Sequence, residues 1–137
     1  MALTHLVDTS VLTRLGSDAV LGVVRPLAAA GKLGRAGISD LEIGFSARNA
    51  DEWDRLTGAL DAFELVETTS SHVQRAKQVQ RALAANSQRG RKVPDLLVAA
   101  AAEETGLGIL HYDADFDLIT AVTGQPATWV VPAGTID

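Results

Sequence analysis

The chain has 137 residues, 47% hydrophobic and 21% charged, with no cysteine. That is enough apolar material for one folded domain, and it excludes a disulfide framework, a thiolate metal site and a cysteine nucleophile. Twelve Lys+Arg against 17 Asp+Glu leave a net charge of −5, which argues against a protein that coats phosphate backbones by bulk charge.

The hydrophobic period gives alternating strands and helices in chain order. A short strand over 4–8 ends in Asp8, and a helix over 9–15 stops at Gly16. Asp18 caps a second helix through Leu27, ending near Gly31. Residues 34–39 read as a turn and a strand, and Ser39-Asp40-Leu41-Glu42 reads as a capping box opening a helix. A helix over 51–60 carries Trp53, Leu56 and Leu60 at helical spacing. A brief strand follows at 63–67, then a helix over 69–86 with Val73, Ala76, Val79 and Leu83 on one face. A Ser-Gly-basic loop leads to Pro94 and a helix over 95–105, capped by Gly106. A strand at 108–112 ends in Asp113; a helix over 113–122 and a strand at 128–131 complete the pattern. The expected fold is a three-layer α/β/α sandwich around a short, mainly parallel sheet. Residues 1–131 form one domain and 132–137 a tail. The longest apolar run, 96–102, is far short of the ~20 residues of a membrane span. The N-terminus lacks a basic start, so no leader and no membrane partner is expected, and a cytoplasmic location fits.

Two carboxylates, Asp8 and Asp113, directly follow apolar strands, and in an open parallel sheet ligands bind beyond the carboxyl ends of the strands. Glu42 and Asp95 lie in first turns of helices that start at the same edge, with Asp115 one step beyond Asp113. Taken singly, Glu42, Asp95 and Asp113 are open to a capping role, since a negative charge at a helix start is stabilised by roughly 0.3–1 kcal/mol. Taken together, crowded carboxylates lose their charge unless a cation neutralises them. Oxygen ligands suit Mg²⁺ or Mn²⁺, which activate water for attack at phosphorus. A calcium loop starting at Asp113 fails, because Leu118 stands where Gly is needed and Gly124 where Glu is needed.

In sequence order, Val7-Asp8-Thr9-Ser10, Ser39-Asp40-Leu41-Glu42, Pro94-Asp95 before an apolar helix, and Asp113-Ala114-Asp115-Phe116 resemble a PIN domain. Within that family the chain is most similar to the VapC toxins of bacterial toxin–antitoxin pairs. The resemblance implies a Mg²⁺-dependent endoribonuclease, silenced by a cognate antitoxin and assembled as a homodimer. It implies that Asp8, Glu42, Asp95 and Asp113 are catalytic and that Asp8, Asp95 and Asp113 bind metal, with Asp115 an accessory ligand. Ser10 matches a site hydroxyl, and Thr9 beside it a structural one. Hydrolysis by a water on the metal, leaving a 5′-phosphate and a 3′-hydroxyl, is likewise implied. Where this family commonly carries Thr two residues before the fourth acid, the chain has His111, whose role stays open between substrate contact, metal and packing.

The basic residues are uneven: Arg75, Lys77, Arg81, Arg89, Arg91 and Lys92, half of the twelve, lie in one stretch without an acid. Either they form a solvated helix face, or they form a phosphate-binding strip ending in Arg89, Arg91 and Lys92 just before Asp95, with Arg81 behind. Aromatic residues are 4% of the chain, too few for extensive base stacking, so a structured RNA of the tRNA or rRNA class fits better. Three histidines offer no zinc spacing. His5 and His111 are read as packed on near strands and His72 as a surface residue at a helix start. Trp53 is open to core or antitoxin contact. Two rivals stand beside the nuclease: a catalytically silent PIN-like binding module, disfavoured by the intact acid set, and a phosphoacceptor domain, which needs a lysine on a late strand where the chain has none.

Overall fold

A computed structural model describes residues 2–88 and 92–137. Five strands form one sheet, β1 (His5–Val7), β2 (Leu33–Ala36), β3 (Glu64–Val66), β4 (Gly108–His111) and β5 (Ala127–Trp129), in the order β3-β2-β1-β4-β5. Every pairing is parallel, with Leu6 opposite Gly34 on one side and Ile109 on the other. Parallel strands need crossovers, and seven helices supply them: α1 (Thr9–Leu12), α2 (Asp18–Ala29), α3 (Gly37–Gly44), α4 (Ala50–Gly58), α5 (Ser70–Ala85), α6 (Val93–Thr105) and α7 (Asp115–Thr123).

Alternation along the central strands divides the core into two layers. Leu6 and Ile109 point into one, filled by α5, α6 and α7; Val7 and Leu110 point into the other, filled by α1 and α2. Both faces are covered, which is why Leu6-Val7 and Ile109-Leu110 are consecutive apolar pairs. The α/β/α sandwich expected from the pattern is the observed architecture. Helix α6 is its most buried element: Leu96 and Val98 through Ala102 are all below 4% exposed. Its alanine run keeps the helix thin where α5 and α7 press on it, and Gly106 ends it in the left-handed conformation at φ 75°.

The structure corrects five local readings. Helix α1 ends at Leu12 and continues as turns through Gly16. Ser17, not Asp18, caps α2, its hydroxyl accepting from the Val20 amide. The Ser39–Glu42 capping box does not form. Strand β2 runs into α3 without a linker, so the helix starts at Gly37 and Ser39 is buried within it. Both polar groups of that signature, Ser39 and Glu42, are engaged by Thr9, and Asp40 between them makes a two-pronged pair with Arg35 at 2.7 and 3.2 Å. His72 is 5% exposed, because its ring turns back to accept from the Thr69 amide while Thr69 caps α5. Val73 is 41% exposed, leaving Ala76, Val79 and Leu83 as the inward row.

Residues 132–137 fold back on the β4 end. The Tyr112 hydroxyl donates to the Ile136 carbonyl at 2.9 Å and accepts from the Gly134 and Ile136 amides. No helix among the described residues is long and apolar enough to cross a membrane.

Candidate active site

The sheet order reverses at β1, with β2 and β3 on one side and β4 and β5 on the other. The crevice beyond the carboxyl ends at such a reversal is where open α/β sheets place ligands. Asp8 follows β1 and Asp113 lies two residues past β4, so register alone carries both carboxylates there. They line an open hollow of about 470 Å³ together with Ser10, Glu42, Lys92 and Asp95. Thr9 and Arg14 of the first helical segment complete its wall.

Asp8 caps α1: its Oδ2 accepts from the Ser10 amide at 2.9 Å. It is 2% exposed. Burial pushes its carboxyl above the ordinary range, hydrogen bonds from Ser10 pull it down, and Glu42 and Asp113 push it up further. The Ser10 hydroxyl accepts from the Tyr112 amide at 2.9 Å, which ties α1 to the end of β4.

Asp95, in the first turn of α6, is 4% exposed, and its Oδ2 has no hydrogen-bond partner. Burial and the neighbouring charge of Asp8 push its carboxyl up to about 8; Lys92 opposes this, and Asp113 and Asp115 add to it. Asp113 behaves differently. Burial raises it, but the Lys92 ammonium at 2.7 Å and the Asp115 amide at 2.9 Å outweigh that and hold it below the ordinary range. Ligand oxygens of Asp95, Asp113 and Asp115 all lie within 4.8 Å of one another.

An unpartnered buried carboxylate oxygen costs several kcal/mol unless it is protonated or paired. Asp95, Asp113 and Asp115 could hold a hard divalent cation, which would neutralise them and which an all-oxygen donor set suits. Asp8 lies outside that tight trio but lines the same hollow, so the residue read as accessory, Asp115, stands closer to the cluster than expected. Glu42 reaches the hollow from α3. Thr9 Oγ1 sits 2.7 Å from Glu42 Oε1 and 2.9 Å from Ser39 Oγ. Having one proton, Thr9 gives it to the carboxylate and accepts from Ser39.

The described members of the basic strip lie apart. Lys92 stands inside the acid cluster, paired with Asp113 and 3.9 Å from Asp95. Arg75 is held by Glu103, while Arg81 and Lys77 line an open groove on the outer face of α5 and not the hollow. Arg89 and Arg91 lie outside the described residues. His111 is fully buried between Phe116 and Trp129, at ring separations of 4.9 and 5.0 Å. Burial holds the imidazole below its usual pKa against the charges of Asp117 and Asp113. Its Nδ1 accepts from the Asp113 amide at 3.2 Å, so it packs behind the fourth acid and does not line the hollow. Arg14 is a lining residue that the sequence reading did not name, while Thr9, read as structural, and Ser39, read as a helix cap, are joined to Glu42 at the site.

A family model described as PIN domain matches residues 5–121. Ribonuclease VapC51 of Mycobacterium tuberculosis (strain ATCC 25618 / H37Rv) is 65% identical over 137 residues, covering 100% of both chains. Ribonuclease VapC21 of the same strain is 42% identical, covering 98% of this chain and 99% of its own. Among solved structures, a chain of DNA-bound VapBC from Salmonella typhimurium superposes with a TM-score of 0.79 at 13% identity, over 94% of this chain and 99% of that one. At that identity the likeness is one of fold.

Proposed function

The chain belongs to the PIN-domain family, and within it to the VapC ribonucleases; we propose that it is the toxin of a toxin–antitoxin pair, a metal-dependent endoribonuclease. The observation that carries this reading is the buried Asp95, whose Oδ2 makes no hydrogen bond and which offers a carboxylate oxygen within 4.8 Å of those from Asp113 and Asp115. Catalysis rests on Asp8, Glu42, Asp95 and Asp113, with Asp115 in the ligand set. The ion is Mg²⁺, for which Mn²⁺ substitutes. When bound, it neutralises the carboxylates and acidifies a water beside the scissile phosphorus.

The remaining work falls to the chain's own groups. Asp95, Asp113 and Asp115 would hold the cation, and Asp8 closes the β1 side of the hollow. Glu42, its Oε1 fixed by Thr9, presents its other oxygen to orient the attacking water. Ser10 keeps Asp8 and Tyr112 in register. Hydrolysis leaves a 5′-phosphate and a 3′-hydroxyl. The substrate is a structured RNA of the tRNA or rRNA class, held by shape and phosphate contacts. Arg81, Arg89, Arg91 and Lys92 belong to that surface, Lys92 from within the acid cluster.

The cognate antitoxin seats on α3 and α4. Phe45 is 92% exposed, Leu41 67% and Trp53 46%. Leu41 and Phe45 form a groove with Glu42 itself, so a partner there covers an apolar patch and closes the hollow in one contact. The toxin acts in the cytoplasm as a homodimer. The deciding experiment is cleavage of total cellular RNA by protein freed of antitoxin. Cleavage with Mg²⁺ or Mn²⁺, stopped by EDTA and absent in Asp95→Asn and Asp8→Asn, supports the reading. Cleavage by Asp95→Asn, or in EDTA, overturns it.

A further inference from the structure

We propose that Arg14 is a substrate-binding residue that takes a non-bridging oxygen of an RNA phosphodiester, and that Asp137 is the counter-ion it releases to do so. The inference rests on the ribonuclease reading of the same hollow.

Four carboxylates line that hollow against two cations, Lys92 and Arg14. A phosphodiester approaching them is repelled unless a fixed positive group meets it. Lys92 is already paired with Asp113 at 2.7 Å. Arg14 is committed differently. Its Nη1 donates to the Ser10 carbonyl at 2.7 Å and to Thr13 Oγ1 at 3.3 Å, and its guanidinium carbon sits 5.0 Å from the centre of the Tyr112 ring. These contacts fix the plane of the group without neutralising it.

Among the described residues the carboxylate that meets the charge is Asp137, whose Oδ1 lies 3.3 Å from Nε. The pair is poorly aligned: Nε is buried and makes no hydrogen bond. Asp137 is 77% exposed, against 27% for Arg14. Nη2 donates to no described residue. A planar fork with free donors, held beside the residue that fixes Asp8, matches a phosphate geometrically. A carboxylate this exposed is easily displaced from it. Tyr112 keeps that carboxylate close, because its hydroxyl ties down Gly134 and Ile136 while its ring carries the guanidinium.

The test uses the full chain free of antitoxin and one fluorescein-labelled RNA oligonucleotide containing a mapped cut site. Binding is read by anisotropy in EDTA, and KM and kcat by cleavage in Mg²⁺. Arg14→Ala is expected to weaken binding and raise KM roughly tenfold, and to flatten the salt dependence of binding by about one ion. Asp137→Asn, on an exposed side chain, is expected to tighten binding about two- to threefold, which a merely structural Arg14–Asp137 pair does not predict. Unchanged affinity and salt slope in Arg14→Ala, or weaker binding in Asp137→Asn, overturns the assignment. Failure of the wild type to cleave RNA sinks the nuclease reading instead, and the binding arm still judges Arg14.

Discussion

Lys92 holds Asp113 at 2.7 Å within the cluster that offers oxygens to a divalent cation. The ammonium and the ion therefore compete for one carboxylate. Lys92 is 60% exposed, so its repulsion of a cation about 4 Å away is near the water-like value of about 1 kcal/mol per unit charge, and larger for a divalent ion. Lys92→Gln should bind Mn²⁺ at least about fivefold more tightly by titration calorimetry. An unchanged or weaker affinity would show that Lys92 supports the ion and does not oppose it.

Asp95 makes the metal-free protein sensitive to pH in a defined direction. Its carboxyl is pushed from 3.8 up to about 8 on folding, so the folded state holds a proton that the unfolded chain has lost. Below the unfolded value the group has no effect; its destabilisation grows as pH rises and is complete near 8. His111, held neutral by burial, acts oppositely and costs stability below about 6.5. In EDTA the Tm should rise as pH is lowered from 8 to about 6.5 and then level. Asp95→Asn should remove the upper slope and melt several degrees higher than wild type at pH 8. Added Mg²⁺ should flatten the wild-type profile. Thermal melts across pH, with and without metal, check all three.

Thr9 orients Glu42 across 33 residues of sequence through a 2.7 Å bond. Thr9→Val keeps the shape and removes the donor, leaving Glu42 and Ser39 without their link. A loss of about 1–2 kcal/mol in urea unfolding is expected, with kcat down roughly tenfold and KM little changed. Thr9→Ser should restore most of kcat. Normal turnover in Thr9→Val would mean that Glu42 needs no such positioning.

Phe45 is 92% exposed and supports no core. Phe45→Glu should leave Tm within the usual range of surface changes, about 0.5 kcal/mol, and leave RNA cleavage intact. Co-expressed antitoxin should no longer co-purify with it. Retained capture would move the antitoxin to another face.

The strand-end acids were legible because a parallel sheet gathers its carboxyl ends at one edge, and the Asp8 and Asp113 positions follow from two short apolar runs. Asp95 was legible from Pro94, which marks a helix start. Thr9, Ser39 and Arg14 were not, because their roles depend on where α1 meets α3 and where the last residues return, contacts that no local period encodes. Ser39 and Glu42 were misread for the same reason: their capping signature is consumed by Thr9, a partner some thirty residues away in sequence. His72 escaped because a ring that caps a helix looks, in sequence, like an exposed polar residue.

The bond from the Tyr112 amide to the Ser10 hydroxyl closes a loop of 102 residues, and β1 finds its β4 partner only across that span. During synthesis the first strand and its aspartate emerge early and wait. The hollow acquires its last carboxylates only after β4 and α7 have left the ribosome, because such long-range parallel pairing cannot precede its second strand. The hollow is therefore incomplete until those elements have emerged. By then the exposed apolar side chains of α3 and α4, Leu41, Phe45 and Trp53, have long been open to a partner.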